Sequence, residues 1–73
     1  MIWLKVYNRV TMEDAFEVRA GSRHLVLLAA GTILRHMEQG SVIECLRYGW
    51  YILRDHEGTV LEEGSVCDLE EVR

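Results

Sequence analysis

Seventy-three residues with a net charge of −4, 49% hydrophobic content and a mean hydropathy near zero allow one domain and no second core, since a chain this short buries only about 60% of its unfolded surface. The longest uncharged stretch, Leu25 to Leu34, falls far short of the roughly 20 apolar residues that cross a bilayer. Up to Leu61 the seven Lys/Arg balance seven Asp/Glu, so the net charge comes from Glu62, Glu63, Asp68, Glu70 and Glu71 against Arg73 alone.

Ile2 to Asn8 reads as a strand, with Ile2, Leu4 and Val6 alternating with Trp3, Lys5 and Tyr7, so both faces carry aromatic or aliphatic bulk. The amino terminus, Met1-Ile2-Trp3-Leu4-Lys5, lacks the charge-then-apolar order of a signal peptide. Thr11 to Asp14 has the form of a capping box, and Ala15, Phe16 and Ala20 follow near helical spacing before Gly21, which predicts a short helix over 12–20. The competing reading is a hairpin in which Phe16, Val18 and Ala20 alternate, Gly21-Ser22 turns, and His24 begins the return strand.

Leu25 to Ala30 is a continuous apolar run that belongs to the core as strand or helix. Ile33, Leu34 and Met37 share one helical face ahead of Gly40, predicting an amphipathic helix over 32–39 with Arg35 and His36 near its end. From Val42 to Leu61 the chain reads as a three-stranded antiparallel meander with turns at Gly49 and at Asp55-His56-Glu57-Gly58. Six glycines spaced nine or ten residues apart, then six, punctuate short elements in the same way. Ser65 and Asp68 form a second capping box, with Val66, Leu69 and Val72 at i, i+3 and i+6, an element able to dock on the sheet or to order on a partner. Residues 1–61 are therefore expected to be the globular domain and 62–73 an acidic C-terminal tail with the makings of a short helix. The fold class is α+β, a small domain with a mostly antiparallel sheet and one to three short helices; a winged helix or an all-β small barrel is the alternative topology.

Chemistry needs a nucleophile or carboxylate beside a base in a sheltered pocket, and no such constellation stands out. Asp55-His56-Glu57 is the composition of a hairpin loop, because consecutive residues do not converge on one reacting atom. Gly-rich phosphate motifs are missing. His24, His36, His56, Cys45 and Cys67 lack the paired spacing that pre-forms half of a metal site, so no metal or cofactor is expected. Cys45 reads as a small core residue, and two thiols without framework spacing point to a reducing cytoplasm.

Binding is the alternative to chemistry. An acidic patch on a neutral body is drawn to a basic protein surface and repels phosphate, which selects Glu62, Glu63, Asp68, Glu70 and Glu71 as a partner-binding set, with Lys5 and Arg9 as a second contact. A solubilising tail would carry the same acids, but it would not need Val66, Leu69 and Val72 interleaved with them. The rival reading is a DNA- or RNA-binding domain using Arg35, Arg47, Trp50, Tyr51 and Arg54, as aromatics beside arginines are what single-strand binders display. Strand alternation separates Trp50 from Tyr51, however, and the overall acidity opposes phosphate binding. A homo-oligomer would be a third way for so small a domain to gain stability.

A chain of this length and character, beginning Met1-Ile2-Trp3-Leu4-Lys5-Val6-Tyr7-Asn8, resembles the small transcription regulators of lytic Xanthomonas phages, which bind the host RNA polymerase. The resemblance concerns the whole chain and carries over no functional residue. It implies a non-enzymatic protein, active in the host bacterial cytosol, that docks on polymerase to inhibit or redirect transcription.

Overall fold

The structure is a computed structural model that describes residues 1–69. It is an α+β domain in the order β1 (Ile2–Asn8), β2 (Asp14–Ala20), α1 (Arg23–His36), α2 (Gln39–Tyr48), β3 (Gly49–Arg54), β4 (Val60–Ser65), with a 3₁₀ turn at Val66–Asp68. The strands form one antiparallel sheet, β2-β1-β3-β4. This is an open sheet with edges at β2 and β4, which removes the barrel. Two strands precede the helix pair, and the sheet they begin is completed after it, so the chain is not a helix-turn-helix followed by a wing.

Alternation in β1 is as expected. Leu4 and Val6 are buried on one face, and the register sets them against Val18 and Phe16 of β2 and against Leu53 and Tyr51 of β3. The predicted helix over 12–20 is instead β2, and the alternation of Phe16, Val18 and Ala20 towards the core is the part of the hairpin reading that holds. Its partner is β1, not a strand after Gly21. Thr11 forms no helix cap; its Oγ1 accepts from the Glu13 amide at 3.3 Å within the β1–β2 loop. Asn8 organises that loop, its Oδ1 accepting from the amides of Val10 at 2.8 Å and Thr11 at 3.1 Å, an Asx-type turn that competes with helix nucleation.

The apolar run from Leu25 and the predicted helix over 32–39 merge into α1. Ser22 caps it, its Oγ accepting from the Leu25 amide at 3.2 Å, and Val26, Leu27, Ala30, Gly31 and Leu34 make the buried stripe. Leu25 and Leu28, expected in the core, are about half exposed because they lie off that stripe. The helix stops at Met37, and Gly40 falls inside α2.

The first strand of the predicted meander is α2. Val42, Cys45, Leu46 and Gly49 recur at i, i+3, i+4 and i+7, the period of a helix with one face on a core. Gly49 is the hinge from α2 to β3, and a Cβ there would collide with the Cys45 carbonyl and stand 3.0 Å from a Val66 methyl. Only a residue without a side chain fits that junction. The β3–β4 loop is the expected turn: Asp55 Oδ1 accepts from Glu57 and Thr59 amides at 2.9 and 3.0 Å, and Gly58 has φ +86°.

The predicted boundary at residue 61 moves. Glu62 and Glu63 lie in β4, and Val66 and Leu69 are 1% and 3% exposed in the core, so the globular body continues to Leu69. Ser65 makes no side-chain cap. Glu70, Glu71 and Val72 lie outside the described residues. The core is one cluster on one face of the sheet, built from Leu4, Val6, Tyr51 and Leu53 below and Val26, Leu27, Ala30, Leu34, Cys45, Val66 and Leu69 above.

Candidate functional site

Since every helix packs into that single cluster, the second face of the sheet has no covering layer among the described residues. The register arranges it in three rows from β2 to β4: Arg19, Trp3, Arg54 and Val60; Glu17, Lys5, Ile52 and Glu63; Asp14, Tyr7, Trp50 and Ser65. Trp3, Tyr7, Trp50 and Ile52 are half-buried there only by their neighbours. Bulky aromatics on a bare sheet face need flanking groups to cover part of their rings.

Arginines supply that cover. The Arg9 guanidinium sits 4.3 Å from the centroid of the Trp50 ring, and Arg19 and Arg54 stand 5.1 and 5.6 Å from that of Trp3, within the range at which a cation is held over an indole. Lys5 pairs with Asp14 at 3.3 Å, and the Trp3 Nε1–H donates to Glu17 at 3.2 Å. Arg9, Arg19 and Arg54 have no carboxylate partner among the described residues. Two depressions indent the face. One of about 240 Å³ is lined by Lys5, Tyr7, Met12, Asp14, Ile52 and Arg54; another of about 430 Å³ lies by Trp3, Arg19 and the Asp55–Gly58 loop.

The covered face carries one polar cluster. Arg23, at the start of α1, grips Glu62 of β4 with Nε at 2.8 Å and Nη2 at 3.1 Å, and Tyr51 donates its hydroxyl to Glu62 Oε1 at 3.0 Å. The Arg23 hydrogen bonds hold the Glu62 carboxyl below its ordinary range, helped by Tyr51. Burial, together with the adjacent carboxylate, pushes Tyr51 up to about 12. These shifts accompany a bidentate, partly exposed ion pair that links the start of α1 to β4.

At the end of the sheet beside α2, a cavity of about 190 Å³ brings Glu13, Asp14, Glu44 and Cys45 together. Glu44 accepts from Asn8 Nδ2 at 2.9 Å. Burial, reinforced by Glu44, raises the Cys45 thiol above its ordinary value, which keeps it protonated and a poor nucleophile. No three His, Cys, Asp or Glu side chains are placed to hold a metal among the described residues.

The predicted sites are therefore redistributed. Of the acidic set, Glu62 is consumed by Arg23 and Tyr51, Glu63 is exposed on the open face opposite Ile52, Asp68 is exposed in the 3₁₀ turn, and Glu70 and Glu71 lie outside the described residues. Lys5 and Arg9 both lie on the open face or its rim. Of the nucleic-acid set, only Trp50 and Arg54 share that face. Tyr51 is buried beneath the helices, Arg35 ends α1 with Nη2 3.3 Å from Thr32 Oγ1, and Arg47 is exposed in the last turn of α2. The residues missed were Trp3, Tyr7, Arg19 and Ile52. Period-two alternation was their available signal: it places Trp3, Lys5 and Tyr7 on one face of β1, Glu17 and Arg19 on one face of β2, and Trp50, Ile52 and Arg54 on one face of β3.

Comparison with protein-family models, with curated proteins and with solved structures finds no match to this chain.

Proposed function

We propose that this chain is a non-enzymatic, protein-binding regulator that works by occupying a surface of a larger protein. The observation that supports this is the uncovered sheet face, where Trp3, Tyr7, Trp50 and Ile52 lie among charges of both signs. Trp, Tyr and Arg are the residues that dominate binding energy at protein interfaces. An ordinary specific interface buries ~800 Å² per partner, which in a domain of 33 × 22 × 17 Å engages most of one side.

The specific partner is bacterial RNA polymerase, in keeping with the resemblance to phage transcription regulators, and the site of action is the host cytoplasm. The acidic end, with Glu63 and Asp68 exposed and Glu70 and Glu71 following, steers the domain to a basic patch on that partner. Among the described residues no helix is long and apolar enough to cross a membrane.

The test is retention of purified bacterial RNA polymerase on the immobilised chain at moderate salt after nuclease treatment, together with promoter-dependent transcription in its presence. Retention with altered transcript yield is the expected result. A polymerase that passes through unretained removes it as the partner. A second reading, single-stranded nucleic acid on the same face, draws on the arginine–tryptophan stacks, and polymerase-free binding of an oligonucleotide would favour it.

A further inference from the structure

We infer that the open face takes an extended, acidic segment of a partner polypeptide, with carboxylates received at two stations, Arg19/Arg54 beside Trp3 and Arg9 beside Trp50. This rests on the protein-binding reading above and assigns the chemistry of the contact.

Lys5 is paired with Asp14, while Glu17, which accepts from the Trp3 indole N–H, and the exposed Glu63 keep their negative charges. Against those two carboxylates stand three guanidinium groups, each held over an indole at an end of the face and none paired with a carboxylate among the described residues. A guanidinium held against a ring loses little freedom on binding, and its fork of N–H donors matches a carboxylate bidentately.

Spacing defines the segment further. Trp3 pairs with Arg54, and Trp50 lies four residues along β3 from Arg54, so the stations are about 13 Å apart at ~3.3 Å per strand residue. An extended peptide spans that distance in about four residues. It would put acidic side chains at i and i+4, and a residue at i+2 over the groove between Tyr7 and Ile52, where an apolar side chain fits.

Two other occupants fit less well. A second copy stacked face to face about a two-fold axis through the centre of the face would set Glu17 against Glu17 or Glu63, like charge on like. A nucleic acid strand carries charge on every phosphate and would meet Glu17, Glu63 and Asp14 as well as the arginines. A peptide charged only at i and i+4 passes Glu17 beside Trp3 but carries no charge over the middle row.

The experiment titrates the full chain into a fluorescein-labelled peptide, Ser-Glu-Ser-Leu-Ser-Glu-Ser, against the same peptide with Lys for Glu and against a labelled dT12 oligonucleotide, reading anisotropy. The acidic peptide is expected to bind at least ten-fold tighter than the lysine peptide, less so as salt rises. The triple variant Arg9→Ala, Arg19→Ala, Arg54→Ala should lose at least ten-fold, while Arg35→Ala with Arg47→Ala, on the helices, stays within two-fold. Should the triple variant fold poorly, the Trp3 and Trp50 indole N–H resonances of the unaltered chain must both shift on adding the acidic peptide. Equal binding of the two peptides, equal loss in the helix variant, or unmoved indole resonances overturns the inference. So does dT12 binding tighter than the acidic peptide and lost in the triple variant, which would give the face to nucleic acid. Polymerase retention is measured separately, so either result can fail without the other.

Discussion

The two faces of the sheet are made by the same strands, alternate residue by alternate residue, and they differ in kind. Beneath the helices stand Leu4, Val6, Tyr51 and Leu53, and the one polar group among them, the Tyr51 hydroxyl, is hydrogen-bonded. On the other side stand Trp3, Lys5, Tyr7, Trp50, Ile52 and Arg54, with indoles shielded by arginines instead of by a second layer. Among the described residues the helices cover one face only. Stability is thereby assigned to one side of the sheet, and the other is free to carry large side chains that contribute to folding chiefly through local cover.

The sharpest way to break this comparison is to truncate neighbours on opposite faces. Leu53→Ala, in the core at 2% exposure, should cost about 2–5 kcal/mol from lost burial and the cavity left behind. Arg54→Ala, one residue on, should stay within about 0.5 kcal/mol. Urea unfolding of both variants checks the contrast; similar losses would mean that the open face is part of the folding core. Next in size is Gly49→Ala, expected to cost about 1–3 kcal/mol by overpacking. The added methyl meets the Cys45 carbonyl and Val66, so the α2–β3 junction must shift, and the loss should appear as a lowered urea midpoint.

The Arg23–Glu62–Tyr51 cluster gives the covered face a pH signature. Glu62 is more acidic folded than unfolded, so in acid the unfolded chain binds more protons. Its contribution is complete above the ordinary carboxylate value of about 4.3 and is lost as pH falls through the lowered folded value. Tyr51, pushed up to about 12, behaves oppositely: the folded chain keeps the phenolic proton longer. That contribution is complete below about 10 and is lost as pH rises towards 12. Unfolding midpoints across pH should show both limbs. Glu62→Gln should flatten the acid limb, and Tyr51→Phe should flatten the alkaline one.

Much of this arrangement is legible before any coordinates. Alternation in Ile2–Asn8 and the Asp55–Gly58 turn gave β1 and the β3–β4 loop, because period-two patterning and turn chemistry are local signals. Two segments were misread for opposite reasons. At 12–20 the Thr11–Asp14 pattern imitates a helix cap, while Asn8 was already spending the loop's amides on an Asx turn, a competition between neighbours that residue types alone do not rank. At 42–48 the turn at Gly49 suggests the first strand of a meander, yet Val42, Cys45, Leu46 and Gly49 keep helical period and bury against β1, β3 and the 3₁₀ turn. Tertiary burial overrode propensity there. The open face was half visible, since each strand's alternation was readable, but which strands lie side by side was not. Trp3 and Arg54 are 51 positions apart and meet only through the β1–β3 pairing.

The smallest expected effect concerns Met12, whose φ of +64° makes it the only non-glycine residue in the left-handed region among those described. An unbranched L-residue pays roughly 1 kcal/mol to stand there, and Met12 is 68% exposed, so packing in the core does not repay it. Met12 instead lines the groove with Lys5, Tyr7 and Ile52. Strain of this kind gathers where a surface is shaped for a ligand, and the helix-covered side holds no counterpart. Met12→Asn, which tolerates the same backbone, should raise stability by about 0.5 kcal/mol. If the groove receives the apolar residue of a docked segment, the same substitution should weaken acidic-peptide binding by two- to five-fold, because the thioether wall is replaced by an amide. Stability gained together with affinity lost would locate Met12 on the binding side of the comparison; stability gained with affinity unchanged would return it to the β1–β2 loop as a residue of local geometry alone.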